Sequence, residues 1–235
     1  MEFPGLNEQN TQLDSWLSGT SFFLLVTVIF WILLMAMTAL HGSLEEQLLQ
    51  LAEGSIIYRL SFLNAALIAP ALVVIMVILA FFIPGGTKNR FFEITGVLFL
   101  IPYLLLATIT YASQYALLPK LLGDMTNGTI DMVLLWYFNN PDSLVYFFDV
   151  LGYTFFGISA LFIGLKYVRY SGLLRGIGIV LLGSSVLAIL GFIGYVIEVS
   201  LLEFALLISG FLIVPFAILC IMLGLRQSYI RGLDE

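Results

Sequence analysis

The chain has 235 residues, 61% of them hydrophobic and 10% charged, with a net charge of -6 and a mean hydropathy of +1.07. A soluble domain carries roughly 25% charged residues, so this composition excludes an ordinary water-soluble globule. The absence of a basic stripe excludes nucleic acid as a partner, and one His with one Cys cannot build a zinc site.

Residues 1–19 carry Glu2, Glu8 and Asp14 but no Lys or Arg, the opposite of the basic start of a signal peptide. They are expected to form a retained polar tail, with Asp14, Ser15 or Ser18 capping the first helix. Six apolar stretches follow, at approximately 20–40, 58–83, 92–117, 145–168, 173–197 and 201–225. Each meets the length of about 20 residues that a helix needs to cross a hydrocarbon core of about 30 Å. Their apolar runs are continuous, as in Leu24–Val28–Ile32–Leu34, rather than alternating as in a β-barrel. Backbone groups in lipid must pair within their own segment. The expected fold is therefore all-α: a polytopic six-helix transmembrane bundle over 20–225, followed by a cytoplasmic tail at 226–235.

The link His41–Ile57 places Leu44, Leu48, Leu51 and Ile56 on one helical face and Glu45, Glu46, Gln50 and Glu53 on another. In the link Pro119–Leu144, Asn127-Gly128 marks a turn and Ile130–Tyr137 is too short to span; Asn139-Asn140-Pro141-Asp142 ends it. Both links are expected to supply short helices that cap the bundle or lie on the membrane surface. The opposite links, Pro84–Arg90 and Tyr170–Gly172, are little more than turns. Pro70, Pro102 and Pro215 fall inside spans two, three and six, where proline removes a backbone donor and shapes the helix.

Small residues gather in spans four and five: Gly152, Gly157, Ala160 and Gly164, then Gly172, Gly176, Gly178, Gly183, Gly191 and Gly194. Four-residue spacings such as Ala160–Gly164 and Gly172–Gly176 let helix backbones approach closely, predicting a tight hairpin of these two spans. Lys88, Arg90, Lys166, Arg169, Arg175, Arg226 and Arg231 share one side of a six-span topology, leaving Arg59 and Lys120 opposite. The positive-inside rule then places both termini in the cytoplasm of a cell-membrane protein.

The segment Gly152-Tyr-Thr-Phe-Phe-Gly157, with Leu161, Gly164, Arg169, Ser171-Gly172, Leu174-Arg175 and Gly178, resembles part of a prokaryotic family of uncharacterised multi-pass integral membrane proteins. Tyr58-Arg59-Leu60-Ser61-Phe62 is similar to that family's aromatic–Arg–x–x–aromatic opening of its second span. Leu173–Leu174 departs from the pattern, which has a proline before the arginine. The resemblance implies a helical membrane fold and carries over no catalytic residue.

Polar side chains at membrane depth are expensive and mark candidate functional positions. His41, Arg59, Asn64, Gln114, Asp149, Glu198 and Glu203 all fall near the outer ends of the spans, with Tyr111, Tyr153 and Tyr195 about one turn deeper. They define either a solvated headgroup layer or an outward-facing polar pocket, with Arg59 expected to be buried against Asp149 or Glu198. Asp149, Glu198 and Glu203 could also offer oxygens to a hard cation.

No phosphate loop, nucleophile with a partnered base or metal set appears, and no cofactor is implied. The leading reading is a non-catalytic membrane protein that binds a lipid-like ligand or a membrane partner, either another protein or a second copy. The alternatives are a small-ion or proton-coupled transporter or channel, and a lipid-modifying membrane enzyme using Asp149, Glu198 or His41.

Overall fold

A computed structural model describes residues 6–38, 40–82, 90–124 and 129–231. The described residues form helices and turns, with no strand among them. Six helical segments are long and apolar enough to cross a membrane: Gln12–Met37, Ile56–Phe81, Phe91–Gly123, Leu144–Tyr167, Gly172–Val196 and Ser200–Gln227. The protein is thus a multi-pass helical membrane protein. The turns expected at Pro84–Arg90 and Asn127-Gly128 lie largely outside the described residues.

The first helix, α1 (Leu6–Met37), begins well before the expected cap. Asp14 is buried inside it and Ser18 Oγ donates back to the Asp14 carbonyl at 3.0 Å, so neither residue starts the helix. At 1.5 Å per residue its 32 residues exceed a bilayer core, and its polar first turns extend beyond the apolar span.

Span two is divided into α3 (Ile56–Ala65) and α4 (Ile68–Phe82) by a turn at Ala66 and Leu67. Pro70 has no N–H for the Ala66 carbonyl, which explains where the helix breaks. Leu72, Ile75, Met76 and Leu79 of α4 are all fully buried, so this segment lies at the centre of the bundle. Span three, α5 (Phe91–Ala112), absorbs Pro102 internally and runs through a π-helical turn, Ser113–Leu117, into α6 (Leu118–Gly123).

The two links supply the helices expected of them. In the first, α2 (Leu44–Ala52) starts with a capping box in which Ser43 and Glu46 satisfy each other's backbone N–H groups. In the second lies α7 (Ile130–Leu135). Leu48, Val133 and Tyr137 are fully buried in the common core, so both links cap the bundle. Ile56 departs from the expected apolar face and is exposed.

Spans four and five are α8 (Leu144–Tyr167) and α9 (Gly172–Val196), and they form the expected close hairpin. A Cβ at Gly157 would meet Ala188 Cβ at 2.8 Å, and one at Gly164 would meet Leu181 Cβ at 3.1 Å. Gly178, rather than Gly176, supplies the second small face: its Cβ would lie 2.4 Å from the Val168 backbone nitrogen. Gly176 faces Leu219 of the sixth span at ordinary contact distance, and Gly172 serves the turn, with φ +62°.

Span six is broken at Leu212 into α10 (Ser200–Phe211) and α11 (Ile213–Arg231). Pro215 cannot donate to the Phe211 carbonyl, so the ladder is interrupted at this point. The two halves then take different neighbours. α11 packs along α1, whereas α10 packs along α9 and leaves α1. Ser184 and Ser209 fasten α9 to α10, with their hydroxyls 2.8 Å apart and Ser209 Oγ donating to the Ser184 carbonyl at 2.9 Å.

A cavity between the first and last spans

The separation of α1 from α10 leaves a cavity of about 500 Å³ at the end of the bundle opposite Lys166, Arg169 and Arg175. α1 contributes Val28, Trp31, Ile32 and Met35; α10 contributes Ser200, Glu203, Phe204, Leu206, Leu207, Gly210 and Phe211. Tyr146, Asp149 and Tyr153 of α8 form its polar back wall with Tyr111 of α5, and Ile68, Phe138 and Ile213 complete it. Phe204, Leu207 and Phe211 are half-exposed on the rim, so the cavity opens beside lipid-facing surface.

Four of the ten candidate residues meet here: Tyr111, Asp149, Tyr153 and Glu203. Residues 146, 149 and 153 share one face of α8 because helix neighbours lie three and four apart. Asp149 is only 9% exposed and lies in the cavity wall beside Tyr111 and Tyr153. Tyr146 Oη donates to Glu203 Oε1 at 2.5 Å. The cavity therefore has two carboxylates, Glu203 bonded to a tyrosine hydroxyl and Asp149 beside two more tyrosines, and no Lys, Arg or His among the described residues of its wall. Trp31 lines the opposite side, and its indole nitrogen is buried without a hydrogen-bond partner among the described residues.

The other six candidates lie elsewhere. Arg59 is exposed and forms no ion pair among the described residues, so the expected contact with Asp149 or Glu198 is not made. The reason is its position in the first turn of α3, where a long side chain reaches water more readily than it crosses the bundle. His41 is exposed before α2, and its carbonyl accepts from Gln50 Nε2 at 2.9 Å. Asn64 Nδ2 donates to the Thr27 carbonyl at 2.8 Å and ties α3 to α1. Tyr195 packs behind Tyr146, with ring centroids 5.9 Å apart. Glu198 is exposed in the turn after α9 with φ 58°, in the left-handed region. No group of three His, Cys, Asp or Glu among the described residues is placed to hold a metal ion. Asp149, Glu198 and Glu203 therefore do not form the cation site their sequence positions allow.

Gln114 is fully buried but belongs to a separate network. Its Oε1 accepts from Tyr58 Oη at 2.7 Å and from the Phe138 N–H at 3.2 Å. Its Nε2 donates to Ser113 Oγ at 2.9 Å and to the Trp136 carbonyl at 2.8 Å. All four hydrogen-bonding sites of the amide are thus used, and they hold the second link on the bundle. Nearby, Tyr137 Oη donates to Gln47 Oε1 at 2.6 Å, joining the two links. Burial pushes the Tyr137 hydroxyl up to about 12, against a smaller lowering by the hydrogen bond to Asn139.

Trp31, Tyr146, Phe204 and Phe211 are cavity residues that sequence reasoning did not select. Tyr146 was legible in principle, because it lies two helical turns before Tyr153 and three residues before Asp149. The Trp31 and Phe204 positions depend on which neighbours the two halves of span six take, which no local pattern encodes. No family model matches the chain, and no curated protein or solved structure matches it either.

Proposed function

We propose that this cavity holds a membrane amphiphile and that the protein acts by binding it, without chemistry of its own. The observation that carries the reading is the cavity's asymmetry. One side is built from apolar residues of α1 and α10 open beside lipid-facing surface, and the other carries Asp149, Glu203, Tyr111, Tyr146 and Tyr153. Ligand pockets combine such mainly apolar walls with a few convergent polar groups, in volumes of about 300–1,000 Å³. A tail would enter sideways between α1 and α10 while its head group met the polar wall.

Under the positive-inside rule, Lys166, Arg169, Arg175 and Arg226 lie on the cytoplasmic side. The cavity then faces the outer leaflet and both termini face the cytoplasm. Native mass spectrometry of the protein released from mild detergent tests the binding reading. A retained lipid-sized mass is expected on the wild type and not on Gly210→Phe. A Cβ at Gly210 has only Tyr153 Oη within 4 Å, at 3.9 Å, so a large side chain there enters the cavity without striking backbone. Equal retention by both proteins would contradict the reading.

A further inference from the structure

We propose that the head group this cavity receives is an organic cation, a protonated amine or quaternary ammonium carried on an apolar tail. The inference rests on the reading of the cavity as an amphiphile site and specifies its ligand. Asp149 and Glu203 reach the cavity from two different helices, and no basic side chain among the described residues lines it. To hold its charge, a carboxylate withdrawn from water needs an opposite charge or a dense set of donors. Elsewhere the chain follows that rule: buried Glu93 lies 3.3 Å from Lys166 Nζ. In the cavity one donor is seen on these acids, the Tyr146 hydroxyl on Glu203, although an ionised carboxylate has about four lone-pair sites. Acceptor capacity therefore remains on both acids, and a cationic head supplies the missing charge.

The surrounding rings favour the same ligand. Trp31, Tyr111, Tyr146 and Tyr153 line the cavity, and the π-system of an aromatic ring attracts a cation, most strongly where water is excluded. A bare divalent ion fits poorly, because it requires six or more oxygen ligands and the described residues bring no three acids together. An anionic head, such as a fatty-acid carboxylate, would meet two like charges.

The test uses the full chain in neutral maltoside micelles and four probes of equal tail length: dodecyltrimethylammonium, dodecylamine, dodecanol and dodecanoate. Titration calorimetry should show both cationic probes binding about tenfold or more tighter than dodecanol, with dodecanoate weakest. Asp149→Asn and Glu203→Gln should each narrow the preference for the cationic probes over dodecanol. Gly210→Phe should abolish the preference, separating the cavity from general attraction to an acidic protein. Should a carboxylate variant fail to fold, the wild-type ranking and Gly210→Phe still decide the question. Equal binding of dodecanol and the cationic probes would overturn the charge assignment and keep the amphiphile site. Failure of every probe to bind would overturn both.

Discussion

Lys166 Nζ lies 3.3 Å from Glu93 Oε1, and the two side chains are only 7% and 6% exposed. Lys166 also donates to the Ala80 carbonyl at 2.9 Å, so α8 grips both α4 and α5 at this end of the bundle. In sequence Lys166 has the appearance of a boundary anchor; in the structure its ammonium is turned inward. Glu93 Oε2 has no hydrogen-bond partner among the described residues, which leaves this carboxylate dependent on Lys166. Lys166→Met alone should cost about 3–5 kcal/mol, because it strands a buried charge. Adding Glu93→Leu should recover most of that loss. Thermal unfolding of the two variants in detergent checks this, and a double variant no more stable than the single one would refute it.

Gln114 links three parts of the chain through four hydrogen bonds, so Gln114→Leu leaves Tyr58 Oη, the Phe138 N–H and the Trp136 carbonyl without their partner. Each stranded group costs about 1–3 kcal/mol if it stays dry. The expected result is a looser cap, with faster hydrogen exchange in α7 and unchanged exchange in α11. Tyr58→Phe removes only one of these bonds and should have a smaller effect.

The glycines of the α8–α9 hairpin should separate by their contacts. Gly178→Ala drives a methyl against the Val168 backbone nitrogen and should destabilise by about 1–3 kcal/mol. Gly176→Ala meets only Leu219 methyls at 3.5 and 3.6 Å and should be neutral or stabilising, since it also removes glycine's entropy cost in a helix. Melting temperatures of the pair in one detergent provide the comparison. Equal losses would contradict the assigned faces.

Glu198 holds the left-handed position that closes α9. Its N–H donates to the Tyr195 carbonyl at 3.3 Å, and the Val199 N–H to the Gly194 carbonyl at 2.8 Å, the two bonds of a Schellman ending. A side chain at this conformation costs roughly 1–2 kcal/mol. Glu198→Gly should therefore raise stability by about 1 kcal/mol without altering ligand binding, because Glu198 does not line the cavity. A lowered melting temperature would show that the carboxylate contributes something this geometry does not.

Six spans, the capping helices and the four–five hairpin were all legible in the sequence, because each depends on local hydropathy, periodicity or glycine spacing. Leu48 and Leu51 were readable as the inner face of α2 for that reason. The cavity was half legible. Tyr111, Asp149, Tyr153 and Glu203 shared a predicted depth, but depth alone does not say which way a helix turns. Arg59 and Glu198 have the right depth and point to water, whereas Gln114 is buried in the cap. The opposite wall depends on the break at Leu212, which sends α10 to α9 and α11 to α1. Pro215 marked a place for a bend, not the neighbours each half would choose. Gly224 was likewise silent in sequence, yet a Cβ there would lie 2.7 Å from the Asp14 carbonyl oxygen on α1.

The central claim is that an amphiphile occupies the space between α1 and α10, and photo-crosslinking tests it most directly. A membrane amphiphile with a diazirine in its tail is incorporated with the protein, irradiated, and the labelled residues are identified by peptide mass spectrometry. Label is expected to concentrate on Trp31, Phe204, Leu207 and Phe211 and to fall sharply in Gly210→Phe. Labelling of these residues no greater than that of exposed Leu98, Ile101 and Leu105 on α5, and unchanged by Gly210→Phe, would contradict the account.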